Sequence, residues 1–376
     1  MQRALARLIA FYLPQFHPIP ENDEWWGRGF TEWTNTVKAK PMFRGHYQPH
    51  IPADLGFYDL RVPETRQAQA DLARAYGIEA FCYYHYWFAG RRVLERPFNE
   101  VLASGQPDFP FCLCWANHTW SGVWVGAPGR VLIEQTYPGE DDHRRHFETL
   151  LPAFRDRRYV RVDGKPVFVI YRPGDVPDAV ATMGLWRTMA ERAGLPGLYL
   201  IGSDVVIGEP LVDGPAEKFG LDGWTTARMP PLRRWQLSRR KPIKWLRAMY
   251  QERAGHPTIY SYERIVLDLL GPERPGASNI PCLIPNWDNT PRSGRDGLVF
   301  HGATPELFRR QAEEALRRIR AATGDRADQS LVFIKSWNEW AEGNHLEPDL
   351  RFGLRFLEAL RDVFGGAPAD ERAPEI

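Results

Sequence analysis

The amino-acid sequence predicts an α/β fold, namely a (β/α)8 TIM barrel with long loops after its strands. Short apolar runs alternate with helical patterns, eight of these runs are candidate strands, and polar and aromatic residues gather where they end. The 376 residues fit one such domain, because α/β barrels with insertions reach this length. A doubly wound sheet shows the same alternation, so the number of strands separates the two folds.

The predicted strands are short and largely apolar, as expected for parallel strands that are buried on both faces. Of these runs, the sixth has the weakest apolar pattern. They span residues 8–13, 78–83, 111–115, 167–171, 199–201, 222–224, 281–285 and 331–334.

Helical patterns separate these strands. The first, 63–76, is followed by Gly77, which is predicted to end the helix in the left-handed conformation. The helix that starts at Thr304 and Pro305 has one apolar face. Further helices are predicted over residues 143–154, 180–193, 262–270 and 351–364.

We predict one barrel domain over residues 1–366, with a basic insertion at about 225–257 and a disordered tail at 367–376. Residues 1–12 contain too short an apolar stretch before Pro14 for a signal peptide and are predicted to include the first strand. No apolar run approaches the roughly 20 residues that span a bilayer, so we expect a soluble or at most peripheral protein.

Charge and cysteine content narrow the functional classes further. The net charge of +1 gives no global field for nucleic acid, so no nucleic-acid partner is expected. The 4 cysteines lie in apolar runs, without the spacing of a disulfide framework or a zinc site. This usage favours a reducing compartment, and we expect a cytoplasmic protein.

Polar and aromatic residues follow the ends of several predicted strands. All strand ends meet at one rim of a barrel, where barrel enzymes build their active sites. We therefore predict that a group of these residues, together with Trp33 from the first long loop, binds substrate. The group comprises Tyr12, Gln15, His17, Tyr84, His85, Trp87, Trp115, Asn117, His118, Asn286, Trp287, Asp288, Asn338 and Trp340.

Two glutamates, Glu339 and Glu342, follow the last predicted strand among tryptophans. Residues three apart on a straight strand face opposite sides, so the two carboxylates converge only if the chain bends; Gly343 and Asn344 predict a turn there. Hydrolysis of a glycosidic bond needs two carboxyl groups about 5 to 9.5 Å apart. An exposed loop with two solvated glutamates is the alternative, but the flanking tryptophans favour a catalytic pair.

The segment 336–348 resembles the motif of the glycoside hydrolase family 99 endomannosidases, in which a similar Asn-Glu-Trp-X-Glu-Gly run carries both catalytic carboxylates. Trp337 and Ala341 replace the Phe and His typical of those enzymes. The chain resembles the bacterial WbsX-like, family 99-like proteins still more closely, over nearly its whole length. The supporting motifs lie at residues 10–17, 29–35, 82–87, 115–117 and 285–292.

The resemblance implies a retaining endoglycosidase without a cofactor. By analogy, Glu339 is the base that deprotonates the 2-hydroxyl of the sugar, which then forms an anhydro-sugar intermediate. Glu342 is the acid that protonates the leaving oxygen and afterwards activates water, which requires a raised pKa. WbsX-like proteins were named as glycosyltransferases of surface polysaccharide assembly, but the sequence has no Asp-X-Asp run or strand-linked glycine-rich loop for a nucleotide sugar.

Several side chains allow more than one interpretation. His17, His85 and His118 could form a metal site, but none has a paired spacing on a helix, so we predict sugar binding and no metal. Trp25, Trp26 and Trp33 could form a sugar-stacking lid or simply pack the first long loop. Glu32 and Asp288 are further candidates for binding sugar hydroxyls.

A basic stretch lies at residues 228–253, with nine Lys or Arg against one acidic residue, Glu252. Aromatic and apolar residues are interleaved with these charges, so the stretch could contact an anionic membrane or an acidic glycan. A solvated insertion is the alternative that we favour.

Three functional classes therefore remain. A retaining glycoside hydrolase is favoured, a glycosyltransferase is second, and a barrel that binds glycans without turnover is third. The expected partner is an oligosaccharide or polysaccharide; the sugar, the linkage and the oligomeric state are not predicted.

Overall fold

The structure is a computed structural model that describes residues 5–122, 127–204, 215–231, 253, 255–272, 279–324 and 330–365. Most of the basic stretch 228–253 and the whole of 367–376 therefore lie outside the described residues. Within the described part, no helix combines the length and the apolar character that crossing a bilayer requires.

Eight parallel strands close into a barrel, which confirms the predicted fold class. The first strand, β1 (Arg7–Tyr12), pairs with the last, β8 (Leu331–Ile334), with Ile9 opposite Phe333. In the same way β3 (Phe111–Trp115) pairs with β4 (Lys165–Ile170), with Leu113 opposite Phe168. The weakest predicted strand, the sixth, is present between its two neighbours. In chain order the strands are β1 (Arg7–Tyr12), β2 (Ile78–His85), β3 (Phe111–Trp115), β4 (Lys165–Ile170), β5 (Tyr199–Asp204), β6 (Gly223–Thr226), β7 (Asn279–Leu283) and β8 (Leu331–Ile334).

Helices connect and surround the strands. Gly77 has φ 81° and follows the helix Pro63–Ala75, as the sequence predicts. Thr304 begins the helix Pro305–Thr323 by accepting a hydrogen bond from the Leu307 backbone N–H. Other α-helices span Pro20–Trp26, Glu32–Lys38, Arg96–Ser104, Glu140–Arg155, Ala179–Arg192, Tyr262–Ile265, Thr290–Ser293 and Arg355–Phe364.

Two helices differ from their predicted extents. The helix predicted over 262–270 is a short turn, Tyr262–Ile265, followed by the 3-10 turn Asp268–Leu270. The last helix begins at Arg355 rather than at 351, because the Asp349 carboxylate accepts the backbone N–H groups of Arg351 and Phe352 and holds that segment in a turn.

Short strand pairings supplement the eight barrel strands in the described part of the chain. The hairpin Trp120–Gly122 with Ala127–Ile133 follows β3, and Thr258–Ser261 pairs with Leu298–His301 before and after β7. Arg161–Val162 pairs with the start of β4. These additions lengthen the chain between barrel strands without interrupting the parallel ring.

The barrel wall is buried on both faces, as the continuous apolar strands predict. Phe11 of β1 stacks on Tyr84 of β2 inside the ring, with centroids 5.6 Å apart. All four cysteines are free and buried, in keeping with their apolar surroundings.

Candidate active site

The chain bends sharply after β8. Asn338–Glu339 pairs antiparallel with Asn344–His345, and a 3-10 turn, Trp340–Glu342, joins the two. We call residues 338–345 the carboxylate hairpin. Gly343 closes its turn with φ 51°, a conformation that favours glycine. The bend predicted between Glu339 and Glu342 is therefore present.

Buried asparagines fix the carboxylate hairpin to the barrel. Asn338 Oδ1 accepts the Leu13 N–H at 2.7 Å, and its Nδ2 donates to the Leu13 carbonyl at 3.1 Å. Asn344 Nδ2 donates to the carbonyl oxygens of Asn286 and Lys335, both at 2.7 Å. Because these bonds join the hairpin to the segments after β1, β7 and β8, the backbone of the two glutamates is held rigidly.

The segment after β7 supports the same turn through Asp288. Its backbone N–H donates to the Glu342 carbonyl at 2.7 Å. A Cβ on Gly343 would lie 2.8 Å from the Asp288 Cβ, closer than real Cβ atoms approach. The Asp288 carboxylate in turn accepts hydrogen bonds from Gln48 Nε2 at 2.7 Å and from the Thr290 hydroxyl at 2.6 Å. Asp288 is thus a structural support of the hairpin.

Two buried cations hold the paired glutamates. Arg292 Nη1 lies 2.6 Å from Glu342 Oε1 and 3.5 Å from Glu339 Oε2. Lys335 Nζ lies 3.4 Å from Glu339 Oε1. Arg292 Nη2 also donates to Glu32 Oε1 at 2.5 Å, and the same oxygen accepts the Ala341 N–H at 2.9 Å. The side chains of the two glutamates converge on one guanidinium.

The surroundings of the two glutamates shift their pKa values in opposite directions. Burial alone would raise the pKa of Glu339, but the charges of Lys335 and Arg292 outweigh it and hold that pKa below its ordinary value. Burial, followed by the charge of Glu339, raises the pKa of Glu342 to about 8. The proximity of the two carboxyl groups widens this difference, because a protonated Glu342 can donate to an ionised Glu339, which lowers the pKa of Glu339 and raises that of Glu342. At neutral pH the pair therefore offers one base and one acid.

Both glutamates line a cavity of about 280 Å³ at the carboxyl ends of the strands. The hairpin after β3 contributes part of its wall, through Trp120, Ser121 and Leu132. The remaining lining comes from Leu13, Gln15, Asn22, Trp26, Tyr84, Tyr86, Ala116, His118, Thr119, Tyr171, Trp287, Arg292 and Lys335. Such a cavity, with aromatic walls and polar and charged groups that converge on it, is typical of a small-ligand site.

Four of the predicted substrate-binding residues, Gln15, Tyr84, His118 and Trp287, line this cavity. Lys335 Nζ donates to the Tyr84 hydroxyl at 3.1 Å, which orients the phenol beside Glu339. Burial lowers the pKa of His118 to about 4, so this imidazole is neutral and offers one donor and one acceptor.

Other predicted binding residues after β2 and β3 lie outside the lining. His85 Nε2 is 2.9 Å from His146 Nε2, and the Trp87 ring stacks on His146 with centroids 4.7 Å apart. Trp115 packs edge-on against the same imidazole. Asn117, which is fully buried, donates to the Arg172 carbonyl and accepts the Arg172 N–H, each at 2.7 Å. His85, Trp87 and Trp115 therefore join the strands to the helix Glu140–Arg155, whereas Asn117 joins the loops that follow β3 and β4.

The predicted binding residues near β1 also have structural partners. The Tyr12 hydroxyl donates to Gln69 Oε1 at 2.7 Å, and His17 Nδ1 donates to the Pro14 carbonyl at 3.0 Å. Trp33 Nε1 donates to the Tyr58 carbonyl at 2.8 Å, so Trp33 packs the first long loop, whereas Trp26 lines the cavity.

Around the carboxylate hairpin, Asn286, Asp288, Asn338 and Trp340 lie outside the cavity lining. Asn286 Oδ1 accepts the His345 N–H at 3.1 Å. Trp340 Nε1 donates to Glu347 Oε2 at 2.6 Å. Glu32, considered above for hydroxyl binding, is fully buried on Arg292 and outside the lining as well.

Sequence reasoning missed several lining residues. Arg292 ends the motif at 285–292 and Tyr86 lies within the motif at 82–87, so both carried a signal. Tyr171 closes the fourth predicted strand. Lys335 lies directly before the motif 336–348, and this position was its signal. Trp120 lies in a hairpin that no sequence pattern indicated.

The three histidines considered for a metal do not meet. His17 bonds to Pro14, His85 to His146, and His118 lies against Tyr171 with ring centroids 5.4 Å apart. Among the described residues, the group whose ligand atoms lie close enough for a metal ion is His50, His345 and Asp349.

The fold and the site together define a (β/α)8 barrel that carries two paired carboxylates in a cavity at the carboxyl ends of its strands. The family model described as Glycosyltransferase WbsX matches residues 8–360, and the chain belongs to this family. The chain is 38% identical over 367 residues to the protein WxcX of Xanthomonas campestris pv. campestris strain B100, covering 96% of this chain and 50% of that protein. It therefore spans about half the length of this curated relative.

Solved structures share the fold at low sequence identity. A glycoside hydrolase-like protein superposes with a TM-score of 0.56 at 16% identity, covering 96% of this chain and 94% of that one. The family 99 endo-alpha-mannosidase from Bacteroides thetaiotaomicron gives a TM-score of 0.50 at 16% identity, covering 95% of each chain. These similarities establish the (β/α)8 architecture.

Proposed function

We propose that the protein is a retaining glycoside hydrolase that acts within a bacterial or host polysaccharide chain. One observation carries the proposal: Glu339 and Glu342 share Arg292 Nη1 at the wall of one aromatic cavity. Their surroundings lower the pKa of Glu339 and raise the pKa of Glu342 to about 8, which favours an ionised Glu339 and a protonated Glu342 at neutral pH. The two protonation states are those that cleavage of a glycosidic bond requires of its base and its acid.

In the first step Glu339 removes the proton from the 2-hydroxyl of the sugar in the cavity. The 2-oxygen attacks the anomeric carbon while the bond to the glycosidic oxygen breaks, and Glu342 gives its proton to the departing oxygen. The product is an anhydro-sugar, as in the family 99 endomannosidases that the 336–348 motif resembles.

In the second step the ionised Glu342 takes a proton from water. The water oxygen attacks the anomeric carbon and opens the anhydro-sugar, and the 2-oxygen regains its proton from Glu339. Two inversions at one carbon give net retention. Burial supports both steps, because the raised pKa of Glu342 lets this group act as acid and then as base near neutral pH.

A glycosyltransferase is the second candidate, favoured by the description of the family to which the chain belongs. Calorimetric titration with nucleotide sugars separates the two, because a transferase binds its donor and a hydrolase does not need one. A barrel that binds glycans without turnover is the third candidate. This candidate predicts that the protein binds glycans without turning them over. It also predicts that binding survives replacement of both glutamates.

The decisive experiment is a screen of bacterial surface polysaccharides and mannose- or rhamnose-rich polysaccharides for new reducing ends. We expect the wild-type chain to release reducing ends from one polysaccharide class, and the double variant Glu339→Gln, Glu342→Gln to release none. Equal release by the double variant contradicts the assignment of the pair.

The cytoplasmic location and the contact of residues 228–253 with a membrane or an acidic glycan remain predictions. Sedimentation with liposomes that contain or lack anionic lipid tests the second. Binding that falls with salt supports it, and absence of salt-dependent binding removes it.

A further inference from the structure

Two histidines and one aspartate meet behind the carboxylate hairpin, outside the lining of the large cavity. Their side chains are His50, His345 and Asp349, and one ligand atom from each lies within 4.8 Å of the others. His50 Nδ1 is 2.9 Å from His345 Nε2 and 3.8 Å from Asp349 Oδ2. Only 12% of the His50 side chain and 5% of the Asp349 side chain are exposed, so the group is shielded from water.

The tautomer of His345 follows from its other ring nitrogen. Nδ1 lies 2.9 Å from the Glu347 carbonyl oxygen, and a carbonyl can only accept, so Nδ1 carries the hydrogen. Nε2 then presents a lone pair towards His50. A hydrogen bond from the second ring nitrogen to a backbone carbonyl is typical of metal-binding histidines. The ring is also fixed by stacking on Trp340, with centroids 3.8 Å apart.

The other two side chains come from backbone segments that are paired with each other. The Ala53 N–H donates to the Pro348 carbonyl and the Leu350 N–H to the Ile51 carbonyl, both at 2.9 Å. Asp349 Oδ1 is occupied by the Arg351 and Phe352 N–H groups, which leaves Oδ2 directed at His50. The three ligand atoms are therefore held in place by the fold.

We propose that His50 Nδ1, His345 Nε2 and Asp349 Oδ2 bind one divalent transition-metal ion of the zinc class. Two imidazole nitrogens and a carboxylate oxygen are donors that zinc prefers, at about 2.0 to 2.2 Å. Tetrahedral bonds of this length separate neighbouring ligand atoms by roughly 3.3 Å. Two of the three separations, 2.9 and 3.8 Å, lie on either side of that value, and the third is within 4.8 Å. Side-chain shifts on the order of 1 Å therefore complete the geometry.

The ion would act on structure rather than on the reaction. His345 belongs to the carboxylate hairpin, whereas His50 and Asp349 belong to two segments beside it. A metal bridge therefore ties the hairpin to both segments and stabilises the folded chain in proportion to its affinity. Without metal, the same atoms form a hydrogen bond between two neutral histidines, which is the competing outcome of the test.

Calorimetric titration of the full chain with Zn²⁺ tests the proposal. The protein is first stripped of metal with a chelator and dialysed. We expect one ion per chain, a higher melting temperature with Zn²⁺, and visible Co²⁺ bands that indicate nitrogen ligation. His50→Ala and Asp349→Asn should each weaken binding by roughly 100-fold or more, since loss of a ligand exceeds the 10- to 100-fold effect of losing an outer partner.

The matched control is His301→Ala. His301 is exposed and lines the same small cavity as His50 and Asp349, but is not one of the three ligands, so its loss should leave the affinity unchanged. The absence of saturable binding to the wild type, a Co²⁺ spectrum identical to that of the hydrated ion, or unchanged affinity in folded His50→Ala would overturn the proposal. The two wild-type measurements decide the matter even where a ligand variant fails to fold.

Discussion

Successive residues at the end of β2 and directly after it lie on opposite sides of the barrel wall. Tyr84 and Tyr86 line the cavity with the two glutamates, whereas His85 and Trp87 pack on His146 between the strands and a helix. The difference follows from the two-residue period of extended backbone. A residue at a strand end lies at the rim of the barrel. Alternate residues along the strand face opposite sides, and this alternation (the parity of the position) decides whether a side chain faces the cavity.

The inner and outer sides of the barrel wall also differ in the charge of their buried side chains. On the inner side, ionised carboxylates are compensated by Arg292 and Lys335. On the outer side, burial lowers the pKa of His85 to about 3, so this imidazole is neutral and packs as a polar aromatic group. The inner side thus contains compensated charges and the outer side a neutral imidazole, and substitutions on the two sides should therefore have opposite signatures.

The largest effect is expected from a matched pair of buried glutamates. Glu342→Gln removes the acid and should lower kcat about 100- to 10,000-fold on an identified substrate while the fold is kept. Glu347 is more deeply buried than Glu342 and lies outside the cavity lining, where Tyr58, Gln69 and Trp340 donate to it. Glu347→Gln should lower the melting temperature and leave kcat of the folded fraction unchanged; a reversed pattern refutes the assignment.

Arg292→Met should give the largest loss of stability. It leaves Glu32, Glu339 and Glu342 buried without their shared cation, which costs about 3–5 kcal/mol in the free energy of unfolding. The control is Arg309→Met, which breaks an exposed pair with Asp362 and should cost about 0–1 kcal/mol. Equal denaturation midpoints for the two variants would contradict the inferred network.

The pH profile of kcat/KM distinguishes the two glutamates. Activity should fall as pH rises through about 8, because Glu342 then loses its proton, and as pH falls through the lowered pKa of Glu339. Lys335→Met removes a charge that lowers the pKa of Glu339, so the acidic limb should move to higher pH. The exposed control Lys38→Met should leave both limbs in place. A profile that stays flat across pH 8 argues against Glu342 as the acid.

The smallest effects should come from the neighbours Tyr86 and Trp87. Tyr86→Phe removes a hydroxyl that lines the cavity near Glu339 and that would bond to a bound sugar. Loss of such a bond, worth about 0.5–1.5 kcal/mol, should lower kcat/KM a few-fold at unchanged stability. Trp87→Phe removes the bond to Asp142 and should cost about 1–3 kcal/mol of stability at unchanged kcat/KM. Similar kinetic losses in both variants would show that parity does not decide contact with substrate.

The sequence predicts the barrel because clear signals border its buried strands. Gly77, for example, ends the preceding helix directly before β2. Even the weak run at 222–224 corresponds to β6, since its neighbours leave one gap in the ring. The helices Pro20–Trp26 and Glu32–Lys38 were not predicted, because each is short and lacks an apolar face. They lie within one long connection, where tertiary contacts decide the local structure.

In the candidate site, the bend after β8 could be predicted from Gly343, and the pairing of its glutamates from their spacing. Arg292 belongs to the motif at 285–292, but its role could not be predicted, because the three carboxyl groups that it contacts lie in distant segments of the sequence. Consecutive polar residues such as Asn286, Trp287 and Asp288 could not be sorted into lining and support without the direction of each side chain.

The close approach of Gly343 to Asp288 couples the connections after β7 and β8. A side chain at position 343 would push the two loops apart and break the bond from the Asp288 N–H to the Glu342 carbonyl. Anyone who redesigns this rim for a new sugar must therefore exchange both loops together as one cassette. A graft of either loop alone would leave the proton donor out of reach of the bond to be cut.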